Sequence, residues 1–77
     1  MIIKAKGYAN MKKYTAHLPS EGNVEVPEGA TVDSVFKKLK VPPESKKLIM
    51  VNGRHKPGDY VLRTGDRLTF FPPLEGG

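Results

Sequence analysis

The sequence contains no cysteine. Disulfides and thiolate-held metals are therefore excluded, and a reducing compartment is compatible with the chain. No apolar run approaches the ~20 residues needed to cross a bilayer. The opening Met1-Ile2-Ile3-Lys4 lacks the apolar segment of a signal peptide. A soluble, cytoplasmic protein is expected. His17 and His55 stand alone, without a second ligand at a metal-binding spacing, so no metal site is expected. Ser20, Ser34 and Ser45 have no evident base partner, so no nucleophilic catalysis is expected within the chain. Asn52-Gly53 and Gly58-Asp59 read as turns; a phosphate-binding loop would need a strand before it and a helix after it. There is no continuous basic block, no internal repeat and no low-complexity segment.

What remains is a chain of 77 residues, one small domain. A domain this size buries roughly 60% of the surface its unfolded form exposes, which leaves little room for an enclosed catalytic cleft. Thirteen Lys and Arg against eight Asp and Glu give a formal charge of +5. Such a balance suits a soluble lysine-rich surface, and it also attracts acidic protein faces or nucleic acid.

Residues 2–8 alternate from Ile3 on, with Ile3, Ala5 and Gly7 on one face and Lys4, Lys6 and Tyr8 on the other, the period of a half-buried strand. Residues 10–15 are polar and read as an irregular connection, and residues 19–23 as a turn. Val24 and Val26 mark a second strand, expected to pair antiparallel with the first. Thr31 is placed to cap a helix whose Val32, Val35, Phe36 and Leu39 form one apolar stripe. Asp33 in the first turn and Lys37, Lys38 and Lys40 near the end suit the helix dipole. Pro42-Pro43 is expected to end this helix, since proline cannot supply the required N–H.

Leu48-Ile49-Met50-Val51 reads as a strand, and Asn52-Gly53 as a tight hairpin turn into a brief return strand at residues 54–56. Residues 60–62 read as a connector whose apolar side chains plug the edge of the core. Residues 67–71 form the last strand, with Leu68 and Phe70 on one face and Thr69 and Phe71 on the other. The resulting order, β-β-α-β-(β)-β, predicts an α+β fold of the ubiquitin-like β-grasp type: a mixed sheet of four or five strands with one main helix packed across it. The expected division is a β-grasp domain over residues 1–71 and a flexible tail over residues 72–77.

That tail, Pro72-Pro73-Leu74-Glu75-Gly76-Gly77, carries the chemistry. The prolines stop ladder pairing and favour an extended start. Read as a true C-terminus, the diglycine presents a carboxylate with no nearby side chain to obstruct it, on a backbone that can thread a narrow site. Extended, the six residues could reach about 20 Å. Phe71, opposite Phe70 by strand alternation, would lie beside the tail on an exposed face.

These features resemble the ubiquitin-like sulfur carriers of the MoaD/ThiS family, which include the small subunit of molybdopterin synthase. The likeness rests on four stretches: residues 7–15, residues 26–32, Val51-Asn52-Gly53 with Gly65-Asp66-Arg67-Leu68, and the ending Phe70-Phe71-Pro72-Pro73-Leu74-Glu75-Gly76-Gly77. The last is the most specific and is more similar to the molybdopterin branch than to the thiamine branch. The resemblance implies a protein that is not itself an enzyme and binds no cofactor of its own. It implies that an E1-like adenylyltransferase of the MoeB/ThiF type uses ATP to adenylate Gly77, and that a sulfur donor converts the adenylate to a thiocarboxylate. The sulfur would pass to an acceptor, such as a molybdopterin synthase large subunit, in molybdenum cofactor biosynthesis. By the same resemblance Leu74, Glu75 and Gly76 would enter partner active sites, and Phe71, Pro72 and Pro73 would meet the partner outside them. Two alternatives share the sequence: a ubiquitin-like modifier conjugated through Gly77, and a basic RNA-binding β-grasp module.

Overall fold

The computed structural model describes residues 1–19 and 21–73. Five strands form one mixed sheet: β1 (Ile2–Gly7), β2 (Asn23–Glu25), β3 (Leu48–Val51), β4 (Arg54–His55) and β5 (Arg67–Phe71), in the spatial order β2-β1-β5-β3-β4. β1 and β5 pair in parallel, with Lys4 opposite Arg67 and Gly7 opposite Phe70. The other pairings are antiparallel. One helix, α1 (Val32–Lys38), covers one face of the sheet. The α+β, ubiquitin-like β-grasp expected from the element order is the fold observed.

Alternation decides which face is buried. Ile3 and Ala5 of β1, Val24 of β2, Val51 of β3, and Leu68 and Phe70 of β5 are all closed to solvent. Against them packs the helical stripe Val32, Val35, Phe36 and Leu39, each buried as its spacing predicts. Phe36 meets Phe70 edge-to-face, with ring centroids 5.0 Å apart. Such a pair adds about 0.5–1.5 kcal/mol beyond the area it buries.

The start of α1 leaves none of its leading N–H groups without a partner. Thr31 Oγ1 accepts from the Ser34 N–H at 3.2 Å, and Ser34 Oγ accepts from the Thr31 N–H at 2.9 Å, a reciprocal capping box. The next donors are met from a distant loop: the Val32 N–H donates to the Tyr60 carbonyl and the Asp33 N–H to the Gly58 carbonyl. The segment expected to plug the core edge therefore also caps the helix. Leu62 is buried as expected and Tyr60 half-buried, but Val61 is 53% exposed because it bridges Thr31 as an added strand pair and turns its side chain outward.

The helix ends earlier than Pro42-Pro43. It closes at Lys38 with Leu39 as the cap, because Lys40 takes a left-handed backbone with φ of 64°. The Val41 N–H donates to the Phe36 carbonyl at 2.9 Å and the Lys40 N–H to the Lys37 carbonyl at 3.1 Å, and both Val41 and Phe36 are buried. This is a Schellman closure with lysine at the position usually held by glycine. Residues 10–15 also differ from expectation. Residues Ala9–Tyr14 form a 3-10 helix rather than an irregular connection. Met11 anchors it in the core, and its carbonyl lies where a side chain on residue 7 would stand, so Gly7 is required there.

Asn52-Gly53 makes the hairpin turn, both residues at positive φ as such a turn demands. Asn52 also does a second job. Its side-chain amide donates to Asp66 Oδ1 at 2.9 Å, and its Oδ1 accepts from the Arg67 N–H at 2.9 Å. Asp66 Oδ2 accepts from the Arg63 N–H at 2.8 Å, and this carboxylate is the one buried charged group among the described residues. The clasp ties the β3–β4 turn to the start of β5 and so fixes the register of the central strand.

Two expected outcomes follow. Asp66→Ala strands the Asn52 amide and the Arg63 N–H, and urea unfolding should show a loss of about 1–3 kcal/mol; a loss below about 0.5 kcal/mol would place the clasp outside the folding energetics. Lys40→Gly relieves a left-handed lysine, so the same measurement should show a gain of about 0.5–1 kcal/mol. A loss of stability there would contradict the closure described.

Candidate partner-docking face and tail exit

β5 lies at the centre of the sheet, so its last residue delivers the chain to one end of a well-braced body. Phe71 is its final residue, registered opposite Leu48 of β3. The ladder stops there; Pro72 and Pro73 follow, both half-buried. Leu74, Glu75, Gly76 and Gly77, the tail residues singled out from the sequence, lie outside the described residues, as does Ser20.

Alternation places Phe71 on the face away from α1, with Thr69 and Arg67. The same face carries Lys4, Lys6 and Tyr8 from β1 and its continuation, since Ile3, Ala5 and Gly7 point inward. The rings of Tyr8 and Phe71 meet edge-to-face at 5.8 Å, with 70° between their planes. Lys6 Nζ lies 5.3 Å from the centroid of the Tyr8 ring. Phe71 is half-buried and packs on Tyr8, which itself stays exposed. Tyr8 was not singled out as a site residue from the sequence. The signal was its place on the Lys4-Lys6-Tyr8 face; what the sequence withheld was that β1 lies directly beside β5.

Along the same face runs an open groove of about 650 Å³, lined among others by Lys4, Lys6, Lys12, Arg67, Thr15 and Glu21. Its floor is the β1–β5 pair, and the 3-10 helix with the loop after it makes a wall. Thr15 Oγ1 accepts from the Gly7 N–H at 3.1 Å, which holds that wall against β1. Lys4 Nζ stands 3.9 Å from Glu21, a pair whose carboxylate is nearly fully exposed. Ser34, one of the serines considered for catalysis, has its hydroxyl engaged in the helix cap, where it also donates to the Thr31 carbonyl at 2.7 Å. Among the described residues no three His, Asp or Glu side chains converge as a metal site, and no helix is long and apolar enough to cross a membrane.

Comparison with known proteins agrees with this geometry. No curated protein matches the chain in sequence. Among solved structures, SAMP1 of Haloferax volcanii superposes with a TM-score of 0.75 at 20% identity, covering 100% of both chains. A Pyrococcus furiosus protein assigned as molybdopterin converting factor subunit 1 gives a TM-score of 0.75 at 26% identity, covering 96% of this chain and 99% of that one. A chain from the complex of subunits 1 and 2 of molybdopterin-converting factor from Helicobacter pylori 26695 gives 0.59 at 18% identity, with 100% of each covered. The ThiS family profile matches residues 9–77, almost the whole sequence and all of the tail. Members of that family are small carrier proteins rather than catalysts. A β-grasp body with a Gly-Gly ending, matched to that profile over nearly its full length, belongs to the ThiS family, within the MoaD/ThiS group of ubiquitin-like proteins.

Proposed function

We propose that this protein is a sulfur carrier that acts through the carboxylate of Gly77. The observation that carries this reading is the family match, which runs through residue 77 and so includes the diglycine. The fold supports it: a rigid body whose central strand hands off to a short tail can hold its partner at the surface while the terminus reaches inside. Residues 72–77 would span about 20 Å when extended.

The chemistry divides into two displacements. A carboxylate is a poor electrophile, so one oxygen of Gly77 first attacks the α-phosphorus of ATP in an E1-like enzyme of the MoeB/ThiF type, and pyrophosphate leaves. A hydrosulfide-level sulfur then attacks the carbonyl carbon of the acyl-adenylate, and AMP leaves with the original oxygen. The product is a thiocarboxylate in which one oxygen has been replaced by sulfur. Splitting one hard step into two through a covalent intermediate is the common logic of such carriers. Leu74, Glu75 and Gly76 would line the partner's channel, and Phe71, Pro72 and Pro73 would rest at its mouth. A synthase large subunit of the molybdopterin type is the acceptor that the subunit-1 neighbours favour, one of them being seen in complex with subunit 2. The residence proposed is the cytoplasm.

A second reading, conjugation to other proteins through Gly77, is favoured by the fold shared over full length with small archaeal modifier protein 1. Two experiments separate the readings. With a cognate activating enzyme, ATP and sulfide, the carrier should gain the mass difference between sulfur and oxygen, and the protein lacking Gly77 should gain nothing. An unmodified product with an enzyme proven active on another carrier would contradict the carrier reading. Higher-mass adducts in cell extracts that vanish on deletion of Gly77 would favour the modifier.

A further inference from the structure

The sheet face away from α1 is basic in a way that local folding does not favour. Lys4 and Arg67 sit directly opposite one another in the parallel β1–β5 register, and Thr69 lies opposite Lys6, which follows Lys4 on the same face. Neighbouring strands stand about 4.8 Å apart and alternate residues along a strand about 6.6 Å, so the three cations crowd one small area. Like charges facing each other across a ladder are destabilising. Lys12 adds a fourth cation on the wall of the same groove. Among the described residues that line the groove, Glu21 is the one carboxylate; it stands beside Lys4 and is itself exposed. The positive groove leads to the Tyr8–Phe71 pair, which lies at the tail exit with Leu48 registered against it.

We infer that this face docks an acidic protein surface: a partner whose Asp and Glu side chains lie over Lys4, Lys6, Lys12 and Arg67 while an apolar group covers the Tyr8–Phe71 edge. Charge complementarity identifies the chemistry. An apolar centre with a charged flank is the anatomy of a protein interface. Single-stranded RNA fits less well. Binding of that kind uses open aromatic faces for base stacking, and here Lys6 lies over the Tyr8 ring while Phe71 meets it edge-to-face. The cations act on encounter rate and orientation, and the apolar edge on residence time. The inference rests on the carrier reading in one respect only: it takes the occupant to be one of the proteins to which Gly77 is presented.

The test uses the full chain, isotope-labelled, titrated with short poly-glutamate and with a poly-uridylate oligonucleotide of equal charge. Poly-glutamate should shift amides of Lys4, Lys6, Arg67 and Thr69 before those of Lys37, Lys38 and Lys40. The double reversal Lys6→Glu with Arg67→Glu should weaken that binding about tenfold and flatten its salt dependence. The double reversal Lys37→Glu with Lys40→Glu changes net charge equally on the helix side and should weaken it less than about twofold. Spectral dispersion equal to the parent confirms that each variant is folded. Equal responses on both faces, or tighter binding of the oligonucleotide at the sheet amides, would overturn the inference. A chain that binds poly-glutamate at the sheet yet never gains sulfur would keep this inference and lose the carrier reading; the reverse pair of results would do the opposite.

Discussion

The parallel pairing of β1 with β5 brings the first and last strands of the chain together at the centre of the sheet. Everything else is arranged around it. Inward, the pair contributes Ile3, Ala5, Leu68 and Phe70, on which Phe36 and the rest of the helical stripe close. Outward, it sets Lys4 against Arg67 and carries Tyr8 to Phe71. Because parallel neighbours cannot be joined by a tight turn, their register has to be fixed from elsewhere. The Asn52–Asp66 clasp does so at one end of β5. At the other, the Gly7–Met11 contact packs the 3-10 helix against the end of β1.

This arrangement separates two tasks. Among its described residues the body offers no buried acid–base machinery: its one buried carboxylate, Asp66, is engaged by two donors of the clasp, the Asn52 amide and the Arg63 N–H. On the proposed reading the body is a handle. The reactive group, on the proposed reading, is the last carbonyl of the chain, delivered by a strand that is paired on both sides up to Phe70 and on the β3 side through Phe71. A firmly held exit fixes where the tail starts, so a partner that grips the sheet face also aims the terminus.

Much of this was legible from residue order, for reasons that can be named. Strand alternation in residues 2–7 and 67–71 and the helical stripe from Val32 to Leu39 are strong periodic signals, and Asn52-Gly53 is a turn whose backbone few other pairs can adopt. The 3-10 helix gave no such signal, because six residues at three per turn leave only Met11 buried and no repeat to detect. The end of α1 misled for a different reason: its closure uses Lys40 where glycine is customary, while the conspicuous Pro42-Pro43 lies beyond the point already closed by backbone geometry. The partners of Phe71 could not be read at all, since Tyr8 is distant in sequence and only the β1–β5 adjacency brings it near. That the segment 60–62, read as a core plug, also helps cap the helix through the Tyr60 carbonyl likewise depends on contacts that no local pattern encodes.

On the proposed reading, Gly77 carries sulfur in the living cell. Intact-mass measurement of the untagged protein, purified rapidly from its own cells under reducing conditions, reads that state directly. The expected result is a population heavier by one oxygen-to-sulfur exchange, located at the last residue by fragmentation and lost on mild oxidation. A terminus found only as the plain carboxylate, in cells shown to be making the sulfur-containing end product, would contradict it.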